Sequence, residues 1–185
     1  MSEQPKTIYR AKVSGLYNPR HAISLVGEGG EEPLGVLRIS RRRGTVHEGV
    51  YEPEKGETLF FRRDPGLLRS QFSVWTDGRE WLGSSLRWTT FQRKVDLYTG
   101  NKPLRLLPIE GWGFGWSMYA PKSGEVARIR AHPFLGRTAE LSVYRRLDFP
   151  LLMFGYFLGT QIYPESFLPG PQPAKVKAAA AATAV

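Results

Sequence analysis

One apolar segment late in the chain constrains the fold more than any other feature. Residues 151–158 are all apolar or glycine apart from Tyr156, and Pro150 precedes them. Proline suits the first turn of a helix, and the residue before a proline is driven out of the helical region, so we predict a helix over 150–162 with Asp148 near its positive end. A helix without a polar stripe has to be covered on every side.

The length of this helix distinguishes lipid from protein as its surroundings. A helix over 150–162 would be about 20 Å long, whereas a bilayer core is about 30 Å thick and needs about 20 apolar residues to span it. A segment this short is more typical of a buried core helix. Gly155 and Gly159 share one face, which also occurs in membrane dimers, but we favour the explanation that sheet side chains pack closely against the bare backbone. We therefore predict a helix enclosed by protein.

The residues before the helix show the alternating pattern of β-strands. Short runs of alternating apolar and polar residues are separated by turn residues, and no long helical period appears. Asp77-Gly78 between two such runs is a strong hairpin signal, and Pro53–Gly56 and Pro121–Gly124 mark further turns. The twelve predicted strands cover residues 7–13, 21–26, 34–40, 45–51, 57–63, 70–76, 79–87, 94–98, 103–108, 113–119, 125–132 and 137–144.

A barrel of twelve strands can cover an apolar helix, and the helix can fill the lumen of the barrel. Closing an antiparallel sheet removes its exposed edges, and a barrel of this size has a lumen too wide for its own side chains to fill. A barrel of about eleven strands is known to enclose one helix. We therefore predict a mainly β fold, a closed antiparallel barrel of about twelve strands around a buried hydrophobic C-terminal α-helix at 150–162.

Composition limits the class of protein. The 185 residues suit a single domain over 1–163, and residues 164–185, rich in Pro and Ala, are predicted to be a disordered tail. The chain has no cysteine, which excludes disulfides and thiolate zinc sites, and no apolar run follows its first residues, so we expect a cytoplasmic protein. Its net charge of +9 predicts attraction to an anionic surface, either nucleic acid or lipid head groups.

Arginine runs at the predicted turns supply the candidate binding residues. Arginine matches phosphate bidentately, so convergence of the 41–43 and 62–63 groups would create an anion site. The alternative is a set of solvated turns that share no face, and the sequence leaves both interpretations open. The candidate residues for binding anionic lipid or phosphate are Arg38, Arg41, Arg42, Arg43, Arg62, Arg63, Arg93, Lys94, Arg145 and Arg146.

An aromatic run, Trp112–Tyr119, is similar to an RNA-recognition signature, in which exposed aromatics stack on bases. However, Trp112 replaces the leading basic residue, and that fold needs two amphipathic helices that this sequence lacks. We interpret the run as a barrel strand whose aromatics pack on the central helix. A nucleic-acid-binding module is the alternative, and it requires Phe114 and Trp116 to be exposed beside the arginines.

Patterns for catalysis or metal binding are missing from the sequence. His21, His47 and His132 have no second ligand at helical or hairpin spacing, and no serine elbow or cysteine nucleophile occurs. We therefore predict a binding protein that is not an enzyme, with no cofactor and no metal. A third hypothesis, an enzyme or small-ligand carrier, requires a polar-lined cavity beside the helix.

Strands, turns and helix together resemble the tubby-like C-terminal superfamily, in its phospholipid-scramblase and LURP-one-related branch. The resemblance is carried by the hairpin Gln71–Leu86, by Glu125–Ile129 after a glycine turn, and by Leu147–Met153. It implies a twelve-stranded barrel around a hydrophobic helix, and binding of phosphoinositide head groups through surface Lys and Arg at a membrane surface. The chain lacks the cysteine cluster and the acidic calcium-binding segment of animal scramblases, so calcium-activated scrambling is not implied.

Overall fold

The structure is a closed antiparallel barrel with a single short helix, which confirms the predicted fold class. It is a computed structural model that describes residues 4–15, 17–65, 71–87, 93–100, 103–109, 115–131 and 137–163. The predicted tail, Phe114 and His132 lie outside these residues. The described strands are β1 Thr7–Ser14, β2 Arg20–Gly27, β3 Gly30–Arg42, β4 Thr45–Pro53, β5 Leu59–Arg63, β6 Phe72–Thr76, β7 Trp81–Leu86, β8 Val95–Tyr98, β9 Leu104–Pro108, β10 Gly115–Ala120, β11 Gly124–Ala131 and β12 Thr138–Val143.

Each strand pairs with its neighbours in sequence, and β1 closes the barrel by pairing with β12. Side chains alternate between the lumen and the outside: in β3, Leu37 and Ile39 are buried, whereas Arg38 and Ser40 are exposed. The ladder between β3 and β4 shifts register after Ser40. The extra residue of this bulge, His47, lies in β4, so the alternation of β3 continues and the guanidinium Nη2 of Arg41 reaches Gln161 Oε1 at 3.3 Å.

The predicted helix exists, but its last turn has a different geometry. α1 covers Phe149–Phe157, and a π-helical turn continues it over Leu158–Ile162. The Thr160 hydroxyl donates to the Tyr156 carbonyl oxygen at 2.8 Å, the oxygen that would accept from the Thr160 N–H in an α-helix. The chain instead closes a wider turn, in which the Tyr163 N–H donates to the Leu158 carbonyl oxygen at 2.8 Å.

The barrel buries this helix on all sides, and every residue from Leu151 to Gly159 is buried. The Phe61 ring of β5 stacks on Phe154 and Phe157, with centroid distances of 5.9 and 5.1 Å. Gly49 of β4 makes room for Phe157, since a Cβ at that position would lie 2.7 Å from the ring. Protein therefore surrounds the helix, as its length predicted. In the described ranges, no helix combines the length and the hydrophobicity needed to cross a bilayer.

Candidate functional site

Strand direction alternates around the barrel, so the turns divide between two ends. The odd-numbered strands run toward the end at which the π-helical turn finishes, where Gln161 contacts Arg41 at the end of β3. We call this the basic end. At the opposite end, which we call the helix-start end, Phe149 packs against Tyr9 and Tyr51 with ring centroids 5.4 and 5.5 Å apart.

The basic end gathers seven of the ten predicted binding residues, counted from the strand bounds. Arg63 Nη2 donates to the Val46 carbonyl oxygen at 3.2 Å, and Val46 is the ladder partner of Arg41. The 41–43 and 62–63 groups therefore lie side by side. The residues gathered at this end are Arg41, Arg42 and Arg43 around the β3–β4 turn, Arg62 and Arg63 at the end of β5, and Arg93 and Lys94 just before β8.

Three predicted residues lie elsewhere. Arg38 is on the outer wall of β3, where its Nη2 lies 2.9 Å from Glu52 Oε2. Arg145 and Arg146 follow β12 and are exposed at the helix-start end. The sequence analysis treated the ten residues as one group. The structure instead places Arg145 and Arg146 at the opposite end of the barrel from the other arginine runs.

Three arginines at the basic end face inward around the finish of the central helix. Arg41 bonds Gln161, the Arg63 guanidinium lies 5.3 Å from the Phe72 ring centroid, and that of Arg87 lies 5.1 Å from the Tyr163 centroid. Positive charges beside the C-terminal end of a helix interact favourably with the negative end of its dipole. Arg87 was not among the predicted residues, although its alternation with the buried Gly83 and Ser85 is the pattern of an inward residue.

Some donors of this rim have no acceptor. Arg63 Nε and Arg93 Nη1 are buried and lack a hydrogen-bond partner in the part of the chain that the structure describes. Both guanidinium groups nevertheless keep their positive charge at this rim. Arg42 and Arg43 are exposed and make no ion pair within the described residues. Tyr17, 87% exposed, adds an aromatic side chain to the same end.

A chain of polar contacts runs from the exposed Arg41 at this rim to the buried Tyr156 in the core. Arg41 Nη2 donates to Gln161 Oε1, the Gln161 amide nitrogen lies 3.4 Å from His21 Nε2, and His21 Nδ1 lies 2.6 Å from the Tyr156 hydroxyl. Burial, followed by the charge of Arg41, lowers the pKa of His21 from 6.5 to about 4. His21 is therefore neutral at physiological pH, and its Nε2 can accept from the amide. This histidine is a core residue.

The described residues offer little to a metal or to a stacked base. No group of three His, Asp or Glu side chains within them could hold a metal ion. Trp116 is fully buried, and its Nε1 donates to the carbonyl oxygens of Gly159 and Tyr163 at 3.2 and 3.1 Å. Trp116 is therefore part of the helix packing, as predicted, and is not available as a platform for bases.

Comparisons with known proteins give one structural relative. No protein-family profile and no curated protein matches the sequence. An X-ray structure of an Arabidopsis thaliana protein, AT5G01750, is similar, with a TM-score of 0.51 and 18% sequence identity over 82% of this chain and 91% of that chain. At such low identity the likeness shows the barrel fold alone and transfers no function.

Proposed function

We propose that the protein binds anionic phospholipid head groups at a membrane surface through its basic end. The observation that carries the proposal is the convergence of Arg41–Arg43 with Arg62 and Arg63 on one rim, linked through the Val46 carbonyl. Each arginine near an anionic membrane surface contributes about 1 kcal/mol of attraction. The exposed Tyr17 supports the same orientation, since tyrosine is enriched where protein meets the head-group region.

The arginines of the rim also differ in how exposed they are. Arg42 and Arg43 are exposed and would meet a membrane first. Arg63 and Arg93 are half-buried, and their charges add to the positive potential of the same end. An extended anionic surface is favoured over a single small anion because the basic residues are spread over β3, β5 and β8 around the rim.

Removing two of the exposed rim charges should weaken binding to acidic vesicles. We expect Arg42→Gln combined with Arg43→Asn to bind phosphatidylcholine vesicles containing phosphatidylserine about 30-fold more weakly, at about 1 kcal/mol per charge. Asparagine is chosen at position 43 because the residue has a φ of 52°, a conformation that asparagine tolerates. Flotation across a range of lipid concentrations measures the change.

A matched double variant shows whether the location of the removed charges matters or only the net charge of the protein. Arg145→Gln combined with Arg146→Gln removes the same charge at the helix-start end, and we expect it to bind within about twofold of the native protein. Equal loss in both double variants, or equal recovery with and without phosphatidylserine, would contradict the proposal. Competition by soluble glycerophosphoserine tests whether the isolated head group suffices. Tighter binding to a single-stranded oligonucleotide than to vesicles would favour the nucleic-acid alternative.

A further inference from the structure

The turn between β3 and β4, at the basic end, carries a hydroxyl group that the proposed function does not use. Thr45 is exposed, and it follows Arg42, Arg43 and Gly44 in the chain. Arginines therefore stand two and three residues before a threonine. Protein kinases select substrates partly by their pattern of charges, and arginine-directed kinases pair acidic side chains with arginines at these two positions. The turn thus has the residues that such a kinase recognises.

This spacing of arginines and hydroxyl group occurs once in the sequence. The other arginine pairs outside this turn, at 62–63 and 145–146, are followed at the same distance by Pro65 and Asp148. Neither proline nor aspartate has a hydroxyl group that could accept a phosphoryl group. The pattern therefore singles out Thr45, and it does so at the end of the barrel where the exposed arginines converge.

The tip of this hairpin can open without the rest of the barrel. A kinase holds its substrate segment extended, whereas Arg43 and Gly44 form a tight turn with φ angles of 52° and 77°. Beyond the bulge at His47, two ladder pairs hold the tip, Arg41 with Val46 and Arg42 with Thr45. Hairpin ends open locally at a lower free energy than the whole fold. Opening these two pairs frees the segment around the threonine and leaves the remaining ladder between β3 and β4 intact.

A phosphate on Thr45 would lie among the arginines of the rim. Thr45 is the ladder partner of Arg42, and residues directly opposite each other in such a ladder have Cβ atoms about 5 Å apart. Its neighbour Val46 pairs with Arg41 and accepts from Arg63 Nη2 at 3.2 Å. A phosphate carries about two negative charges at neutral pH and accepts strong hydrogen bonds from guanidinium groups. It would therefore neutralise about two of the rim charges that attract an anionic surface.

From the arginine spacing, the exposed hydroxyl group and its position opposite Arg42, we propose that Thr45 is phosphorylated by an arginine-directed protein kinase and that the phosphate releases the basic end from anionic membranes. The release rests on the proposed function. In the transfer, Thr45 Oγ1 bonds to the γ-phosphorus of ATP, and the bond from that phosphorus to the β,γ-bridging oxygen breaks. ADP leaves, and the hydroxyl proton passes to a carboxylate of the kinase. Phosphorylation releases polybasic segments from acidic membranes by the same effect of charge.

The full chain, incubated with magnesium ATP and the catalytic subunit of cyclic-AMP-dependent protein kinase, tests the modification site. We expect one phosphate that fragment mass spectrometry maps to Thr45, and none at this position in Thr45→Val. A synthetic peptide of residues 38–50 is the control for the motif. The peptide should react faster, because in the folded chain the hairpin tip has to open and the buried Val46 has to leave the core. Absence of phosphate from Thr45 in the full chain would overturn the proposal.

Flotation with phosphatidylcholine vesicles containing phosphatidylserine measures the release. We expect the phosphorylated chain to bind about 30-fold more weakly than the unmodified chain, and treatment with a phosphatase to restore binding. Thr45→Val, taken through the same kinase reaction, should bind like the untreated native protein. Native binding by the phosphorylated chain would overturn the proposal. Equal binding of the unmodified chain with and without phosphatidylserine would instead contradict the proposed function, whereas the mass measurement on Thr45 does not depend on vesicles.

Discussion

Replacing Gly155 with leucine should reduce the free energy of unfolding by about 3 kcal/mol, because the centre of the barrel has no space for a larger side chain. A Cβ at this position would lie 2.9 Å from Met118 Sδ and 3.6 Å from Leu106 Cδ2, and leucine adds three further carbons beyond it. The higher helix propensity of leucine offsets only about 1 kcal/mol of this loss. Urea unfolding followed by tryptophan fluorescence measures the change.

Alanine at the two helix glycines provides the control. At position 155 the nearest atoms belong to a flexible methionine, so Gly155→Ala should change stability by less than about 1 kcal/mol. At position 159 a Cβ would lie 2.7 Å from Trp116 Cδ1, and that ring is held by two hydrogen bonds, so Gly159→Ala should be clearly destabilising. A Gly155→Leu protein as stable as the native one would show that the helix does not pack inside the barrel in solution.

Acidification from pH 6.5 to about 4 should remove about 3 kcal/mol of stability through His21 alone. The pKa of this histidine is lowered to about 4 in the folded protein and returns to about 6.5 on unfolding, so the unfolded chain takes up the proton first as the pH falls. Each pH unit in this window contributes about 1.4 kcal/mol, and the loss ends below the folded pKa. Urea midpoints measured at intervals from pH 7.5 to 4 test this dependence.

The groups that face His21 explain why its pKa is lowered. Tyr156 and Gln161 contact its two ring nitrogens, and Arg41 lies behind Gln161, so a second proton would enter a buried site beside an existing positive charge. His21→Gln should remove most of the slope between pH 6.5 and 4. If the native protein and His21→Gln lose stability equally over this range, the histidine is not the responsible group.

A separate acid transition belongs to Glu31. Hydrogen bonds from Lys12, Arg10 and Ser24 lower the pKa of this carboxylate from 4.5 to about 2. Its contribution is therefore complete above pH 4.5 and declines only below it, so it does not overlap the main part of the His21 window.

Much of the barrel could be predicted because its signals are local. Alternation within each strand and the Asp77-Gly78 turn identified the hairpins, and the observed strands lie within a few residues of the predicted ones. The largest difference is β3, predicted over 34–40 and observed over Gly30–Arg42. Its first residues, including Glu31 and Glu32, carry no apolar alternation and are held in the sheet by pairing with β2.

The candidate sites were harder to predict because they depend on distant pairs. The sequence identified arginine groups at turns, but whether two turns share an end depends on the order in which strands join, which local alternation does not encode. The contacts of Arg41 with Gln161 and of Arg63 with the Val46 carbonyl oxygen likewise join residues that are distant in sequence.

The amino-acid sequence by itself determined that residues 150–162 must be enclosed, because an apolar helix too short to span a bilayer has no other stable surroundings, and that alternating strands must form the enclosure. Only the tertiary structure decided which side chains meet. The up-and-down order of strands places the last residues of β3, β5 and β7 at one end and Arg145 and Arg146 at the other, because each strand runs antiparallel to the one before it.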